Sequence, residues 1–257
     1  MRMLKFVGFA LVAVILALGG YYLILSQQNP ISDDRVAVRG EFVNYFENKQ
    51  GYYAEPASAG DYPGVIMVHE WWGLNDNIAG KAEELAAEGY RVLAVDLFGS
   101  VAATSSDAQR LVAALDQEEA IENMKSAQTF LRDNGASRIA SLGWCFGGGQ
   151  ALQLAMSEGE GLAATVIYYG NLTDDREQLR NISWPVLGVF GDADRSISTS
   201  SVEAFRGALS ELGIQNEIYV YPGVGHAFAN PSNPNYAPEE TADAWEKTLA
   251  FLAQHLQ

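Results

Sequence analysis

The chain holds a single cysteine, Cys145, inside the glycine-rich stretch GWCFGGG at residues 143–149. A short, mostly apolar run precedes it and a helical pattern follows. Gly143-Trp144-Cys145-Phe146-Gly147 therefore reads as G-x-C-x-G at a strand-to-helix turn. Such a turn needs small residues two before and two after the nucleophile, because strand and helix backbones crowd together there. It lifts the side chain above the sheet and aims the first helical amides at a bound carbonyl. The Phe146 N–H is the natural first oxyanion donor, and the helix N-terminus also favours a thiolate. A buried structural cysteine fits the same stretch, so its partners decide between the two readings.

A thiol nucleophile needs a base, and the base needs an orienting acid. His226, in YPGVGHAFANP, follows the last strand-like run, and Asp192 and Asp194, in VFGDADRSIS, follow the run before it. The order Cys, Asp, His is that of a triad built on a nucleophile elbow. Either aspartate fits, the other serving a turn or the cap of the helix near Ser198. MVHEWWGLND, at 67–76, ends another strand; it supplies the Trp71 N–H as second oxyanion donor and places the carboxylate of Glu70 near the nucleophile. Trp71, Trp72 and Trp144 are candidates for an apolar acyl pocket, with structural packing the alternative. His255, two residues from the C-terminus, is expected to be a bystander.

Strands positioning these residues are predicted at 65–70, 91–98, 138–144, 163–170, 186–192 and 216–222, with weaker runs at 36–45 and 51–55 forming an antiparallel edge. Helical patterns alternate with them, including one long region at 106–134, and Gly89, Gly135 and Gly213 stand at expected C-caps. The alternation predicts a mainly parallel, doubly wound α/β sheet flanked by helices, with ligands at the carboxyl ends of its strands.

The chain has 257 residues and a net charge of −16. Its first thirty residues carry only Arg2 and Lys5, so the remainder holds 14 basic and 32 acidic residues, near −18. A body this acidic excludes nucleic-acid binding through phosphates. One cysteine excludes an intramolecular disulfide and weakens thiol redox chemistry; no Cys/His cluster has zinc spacing, and no cofactor or metal is expected. Residues 6–25 are uncharged and mostly apolar, long enough as a helix of about 30 Å to span a bilayer. Residues 1–25 are thus read as a transmembrane signal anchor, or else as a cleaved secretory signal, with 26–35 a polar tether and 36–257 one catalytic domain. The positive-inside rule puts that domain outside the cytoplasm, membrane-tethered if the segment is retained and secreted if it is cleaved. A monomer is expected.

VHEWWGLND, AVDLFG, GWCFGGG, FGDADRSIS and GVGHAFAN resemble, in order and spacing, the motifs of the dienelactone hydrolases (carboxymethylenebutenolidases), from about residue 40 onward. The resemblance implies the α/β-hydrolase fold, with Cys145 as nucleophile, His226 as base and Asp194, the fourth residue of GDAD, as acid. It further implies that Glu70 contacts the resting thiol and turns away when substrate binds. In the dienelactone-cleaving enzymes two arginines hold the substrate carboxylate; here those places are Ser100 and Asn230, neither of which offers a bidentate charged fork. The expectation is therefore an ester, lactone or thioester hydrolase, acting through an acyl-cysteine on a small molecule other than dienelactone. The alternative is a membrane-tethered binding protein that kept the fold and lost turnover.

Overall fold

The computed structural model describes residues 37–157 and 161–257. The predicted transmembrane segment, 1–25, and its tether, 26–35, lie outside the described residues. Among those described, no helix is long and apolar enough to cross a membrane.

Eight strands form one sheet: β1 (Val38–Phe46), β2 (Lys49–Pro56), β3 (Gly64–Val68), β4 (Arg91–Val95), β5 (Ile139–Trp144), β6 (Ala164–Tyr168), β7 (Val186–Gly191) and β8 (Asn216–Tyr221). Their spatial order is β1-β2-β4-β3-β5-β6-β7-β8. From β4 to β8 every pairing is parallel, while β1 pairs β2 and β2 pairs β4 antiparallel, so the weak early runs form the expected edge. Every residue of β3, β5, β6 and β7 is buried. That is why these segments are nearly continuous apolar runs rather than alternating ones: helices cover both faces of the sheet.

The helices are α1 (Asp76–Ala87), α2 (Ser105–Ala113), α3 (Gln117–Asp133), α4 (Phe146–Met156), α5 (Arg176–Leu179), α6 (Thr199–Glu211) and α7 (Pro238–Leu256). The long helical region is two helices, not one. Asp116 accepts hydrogen bonds from the amides of Glu118 (2.9 Å) and Glu119 (3.1 Å), and this N-cap restarts the chain as α3. Thr104 and Asp107 form a capping box at the start of α2. Gly89, Gly135 and Gly213 end α1, α3 and α6 with φ of +92°, +90° and +73°. The four-residue α5 had no sequence signal strong enough to predict it.

Several strands stop earlier than their apolar runs suggest, and the stops of β4 and β3 shape the site. After β4, Asp96 Oδ1 accepts from the amides of Phe98 (3.0 Å) and Gly99 (2.8 Å), turning the chain. After β3 the chain leaves the ladder at His69. The register places Val68 beside Gly143, Trp144 beside Tyr168 and Tyr168 beside Val189. Residues just past β3, β5, β6, β7 and β8 consequently emerge along one edge of the sheet.

Candidate active site

Cys145 occupies the turn between β5 and α4 with φ +54° and ψ −118°, a left-handed conformation that costs energy for any residue with a Cβ. The turn is as tight as its glycines imply. A Cβ at Gly143 would lie 2.1 Å from the Gly147 carbonyl oxygen, and one at Gly147 would lie 2.3 Å from that of Val68. The Cys145 N–H donates to the Tyr168 carbonyl at 3.0 Å, tying the elbow to the neighbouring strand.

Sγ of Cys145 lies 3.0 Å from Nε2 of His226, and Nδ1 of His226 donates to Oδ2 of Asp194 at 2.8 Å. The other oxygen of Asp194 accepts from the amides of Ser196 (2.7 Å) and Ile197 (3.1 Å). Burial opposes the charge on Asp194, but the bonds from His226, Ile197 and Ser196 outweigh it and hold the carboxyl below its ordinary range. Burial likewise opposes a charged His226, yet its bonds to Asp194 and Cys145 raise it to about 10. The ambiguity between the two aspartates is resolved by position: Asp192 accepts from the Gly223 amide at 2.6 Å and braces the β8 loop instead.

Phe146 is the first residue of α4, so its N–H has no partner within the helix. The Trp71 N–H is likewise uncommitted among the described residues, since the nearby turn is closed by Gly73 donating to the Glu70 carbonyl at 3.1 Å. Both residues border a cavity of about 370 Å³ that also reaches Cys145 and His226. Trp71 and Trp72, packed edge to face at 5.1 Å, with Val112 and Ile197, supply its apolar wall.

Three of the expected pocket residues stand away from the cavity at Cys145. Trp144 is buried against Tyr168 (5.5 Å) and Trp245 (6.5 Å) and faces a separate, smaller cavity of about 60 Å³. It is the last residue of β5, and the smaller cavity it borders shares Glu70 and Tyr169 with the main one. Ser100 is exposed and borders neither cavity, because the Asp96 turn carries the chain outward. Asn230 borders only the smaller cavity, where its amide nitrogen donates to Oε2 of Glu70. The Asn230 oxygen accepts from the Ser232 amide at 2.8 Å, which fixes which end of the amide faces Glu70.

Glu70 is correspondingly engaged with Asn230 while the thiol is engaged with His226, so this structure does not show the resting contact between Glu70 and the thiol that the resemblance implies. Burial raises the Glu70 carboxyl to about 7, moderated by the Asn230 bond and the nearby His226.

Sequence reasoning missed the part played by His69. Its ring is fully buried; Nε2 accepts from the Leu97 amide at 3.2 Å, which leaves the proton on Nδ1 to donate to the Glu70 carbonyl at 2.6 Å. Burial depresses its pKa and keeps it neutral. His69 thus staples the ends of β3 and β4 and sets the backbone that presents Glu70 and Trp71. The available signal was a histidine set directly past the uninterrupted apolar run of β3. His255 lies against Phe251 on α7, away from the site. No group of three or more potential metal ligands occurs among the described residues.

A largely parallel eight-stranded sheet with a left-handed cysteine at a strand-to-helix elbow, facing histidine and aspartate from two later loops, defines an α/β-hydrolase fold. A crystal structure described as a "Putative Dienelactone Hydrolase" from Klebsiella pneumoniae superposes with a TM-score of 0.78 at 28% identity, covering 85% of this chain and 99% of that one. The family model for the dienelactone hydrolase family matches residues 50–256, and the chain belongs to that family. A Salmonella typhimurium protein named "Putative carboxymethylenebutenolidase" is 31% identical over 227 residues, covering 81% of this chain and 84% of its own. A dienelactone hydrolase-like promiscuous phosphotriesterase from metagenomic libraries shares the fold, with a TM-score of 0.76 at 23% identity, 86% of this chain and all of that one being covered.

Proposed function

We propose that the protein hydrolyses neutral carboxylic esters, lactones or thioesters through an acyl-cysteine intermediate. The observation that carries this reading is the unbroken chain of contacts from Cys145 Sγ through His226 to Asp194, at 3.0 and 2.8 Å. His226 takes the thiol proton, and the resulting imidazolium is stabilised by the buried Asp194 carboxylate. The thiolate adds to the carbonyl carbon, and the carbonyl oxygen becomes an oxyanion received by the Phe146 and Trp71 amides. As the tetrahedral adduct collapses, the imidazolium proton passes to the leaving oxygen or sulfur. A water molecule, deprotonated by His226, then attacks the acyl-cysteine and releases the acid, returning the proton to the thiol.

Neutral substrates are favoured by the cavity itself. Among the described residues no lysine or arginine lines it, Glu70 does, and the two places where the family's carboxylate-binding arginines would stand are turned elsewhere. An anionic lactone would meet a negative wall on an acidic body. The test is a panel of neutral p-nitrophenyl esters and unsubstituted lactones with wild type and Cys145→Ala, with intact-protein mass spectrometry of rapidly quenched wild type. Loss of turnover in the variant and an added acyl mass on the wild type are expected; equal rates from both proteins would refute the covalent mechanism. The N-terminal apolar run is proposed to hold this domain at a membrane on the non-cytoplasmic side, and recovery of the full-length chain only in the soluble cytoplasmic fraction would contradict that.

A further inference from the structure

Tyr169 takes no part in the steps above, yet it is a buried polar side chain of this site whose O–H reaches no acceptor. It follows β6, is only 1% exposed, and has φ +35°. Four non-glycine residues among those described have a left-handed φ, and three of them, Cys145, Tyr169 and Ala227, border the 370 Å³ cavity. Strain of this kind persists only where the surrounding structure enforces it, and it gathers at reactive sites. The Tyr169 ring is wedged edge to face against His226 at 5.3 Å and Phe228 at 5.6 Å.

Its hydroxyl, however, is shielded from water and its O–H meets no acceptor; the backbone group that approaches its oxygen is the Ala229 amide, itself a donor. The adjacent Tyr168 shows what a structural tyrosine does: its hydroxyl donates to the Ala244 carbonyl at 3.0 Å and lies 2.6 Å from the Thr248 hydroxyl. Burying an unpaired hydroxyl is costly, and phenylalanine would avoid that cost at position 169. Burial, reinforced by the charges of Glu70 and Cys145, holds the phenol proton on far above its ordinary range, so the group acts as a donor. Tyr169 and Glu70 are also the two residues that wall both the main cavity and the smaller one. A donor that meets neither protein nor water at rest is satisfied only by an acceptor that arrives.

We propose that the Tyr169 hydroxyl determines specificity by donating to a neutral carbonyl or ether oxygen that the substrate carries within a few bonds of its scissile carbonyl. The acceptor is neutral because Glu70 stands beside it, and because Lys81, the cation bordering the smaller cavity, is already paired with Glu84 at 2.6 Å. Glu70, whose side chain is held by Asn230, is the wall that shifts to admit the oxygen. The acyl chain beyond that oxygen points toward the smaller cavity, where Ile78, Trp144, Ala229 and Pro231 supply apolar lining beside Asn77, Lys81, Asn230 and the partition residues. The proposal rests on the ester-hydrolase reading.

The experiment compares kcat/KM for two matched pairs of p-nitrophenyl esters, methoxyacetate with butyrate and 3-methoxypropanoate with pentanoate, in wild type and Tyr169→Phe. Within each pair one ether oxygen replaces one methylene, so intrinsic reactivity cancels when the two proteins' ratios are compared. In at least one pair the oxygen-to-methylene ratio is expected to fall by about tenfold or more in the variant, as a site loses a donor aimed at a substrate acceptor. The variant is also expected to melt at the same temperature as wild type or higher, since the O–H donates to no acceptor at rest. Ratios within twofold in both pairs, or a melting temperature lowered by more than about 5 °C as expected for loss of a bonded structural hydroxyl, overturn the proposal. Cys145-dependent cleavage of the butyrate ester by wild type upholds the hydrolase reading independently. Failure to cleave any of the four esters overturns both.

Discussion

Replacing Glu70 by glutamine should stabilise the protein increasingly as pH rises. Glu70 is 7% exposed, and burial lifts its carboxyl from 4.5 to about 7 despite the Asn230 bond. In the window between those values the folded protein keeps a proton that the unfolded chain releases, so wild-type stability falls with rising pH and levels off above about 7. Each unit of displacement is worth 1.36 kcal/mol, which makes the full effect about 3 kcal/mol. Glutamine retains an oxygen for the Asn230 amide and does not titrate. The melting temperature of Glu70→Gln minus that of wild type should therefore grow between pH 4.5 and pH 8 by roughly 6–12 °C, at about 2–4 °C per kcal/mol for a domain of this size. Differential scanning calorimetry at half-unit intervals makes the measurement. Titrations common to both proteins cancel in the difference. A gap constant across that range would show that Glu70 ionises normally, and the account of a desolvated carboxyl beside the thiol would fail.

Asp194→Asn should leave the fold intact but lower kcat/KM by about 10³–10⁴, because the imidazole loses the acceptor that fixes its tautomer; retention of a tenth of the activity would exclude the triad. In wild type, NMR should show His226 losing its proton near pH 10, as its bonds to Asp194 and Cys145 require, and Cys145→Ala should move that titration downward. Because this pKa is raised above the unfolded value, the stability it contributes is complete below about 6.5 and disappears as pH climbs through 10. Gly147→Ala should destabilise by about 1–3 kcal/mol or more, the cost of overpacking, since its Cβ would press on the Val68 carbonyl oxygen at 2.3 Å; chemical denaturation reads this directly. His69→Phe should lower both stability and kcat while leaving a measurable enzyme, because the Leu97 amide and the Glu70 carbonyl lose their shared bridge.

The sheet was legible because its inner strands are buried on both faces and so appear as uninterrupted apolar runs. The elbow was legible because its glycines answer a steric demand that few other sequences meet. What remained ambiguous depended on distances that sequence does not carry. Asp192 and Asp194 differ by two positions on one turn, and only the fold sends one to His226 and the other to the Gly223 amide. Trp144 borders the smaller cavity rather than the one at Cys145, because sequence adjacency says nothing about which side of the chain a residue takes. Asn230 was read against an absent arginine as a pocket residue; it borders the smaller cavity, and its amide is engaged by Glu70. Tyr169 escaped notice for the opposite reason: its distinguishing property is a missing partner, which no motif records.

The two glycines of the elbow have a further consequence. Because main-chain atoms of β5, α4 and β3 touch there, the location of residue 145 is set by backbone against backbone and owes little to its own side chain. The scaffold fixes a point in space and leaves the element placed there open. Under the proposed mechanism, exchange of sulfur for oxygen at that point would alter acidity and acyl-intermediate lifetime without requiring the sheet to be rebuilt, so the proposed reactive atom and the architecture that aims it can change independently.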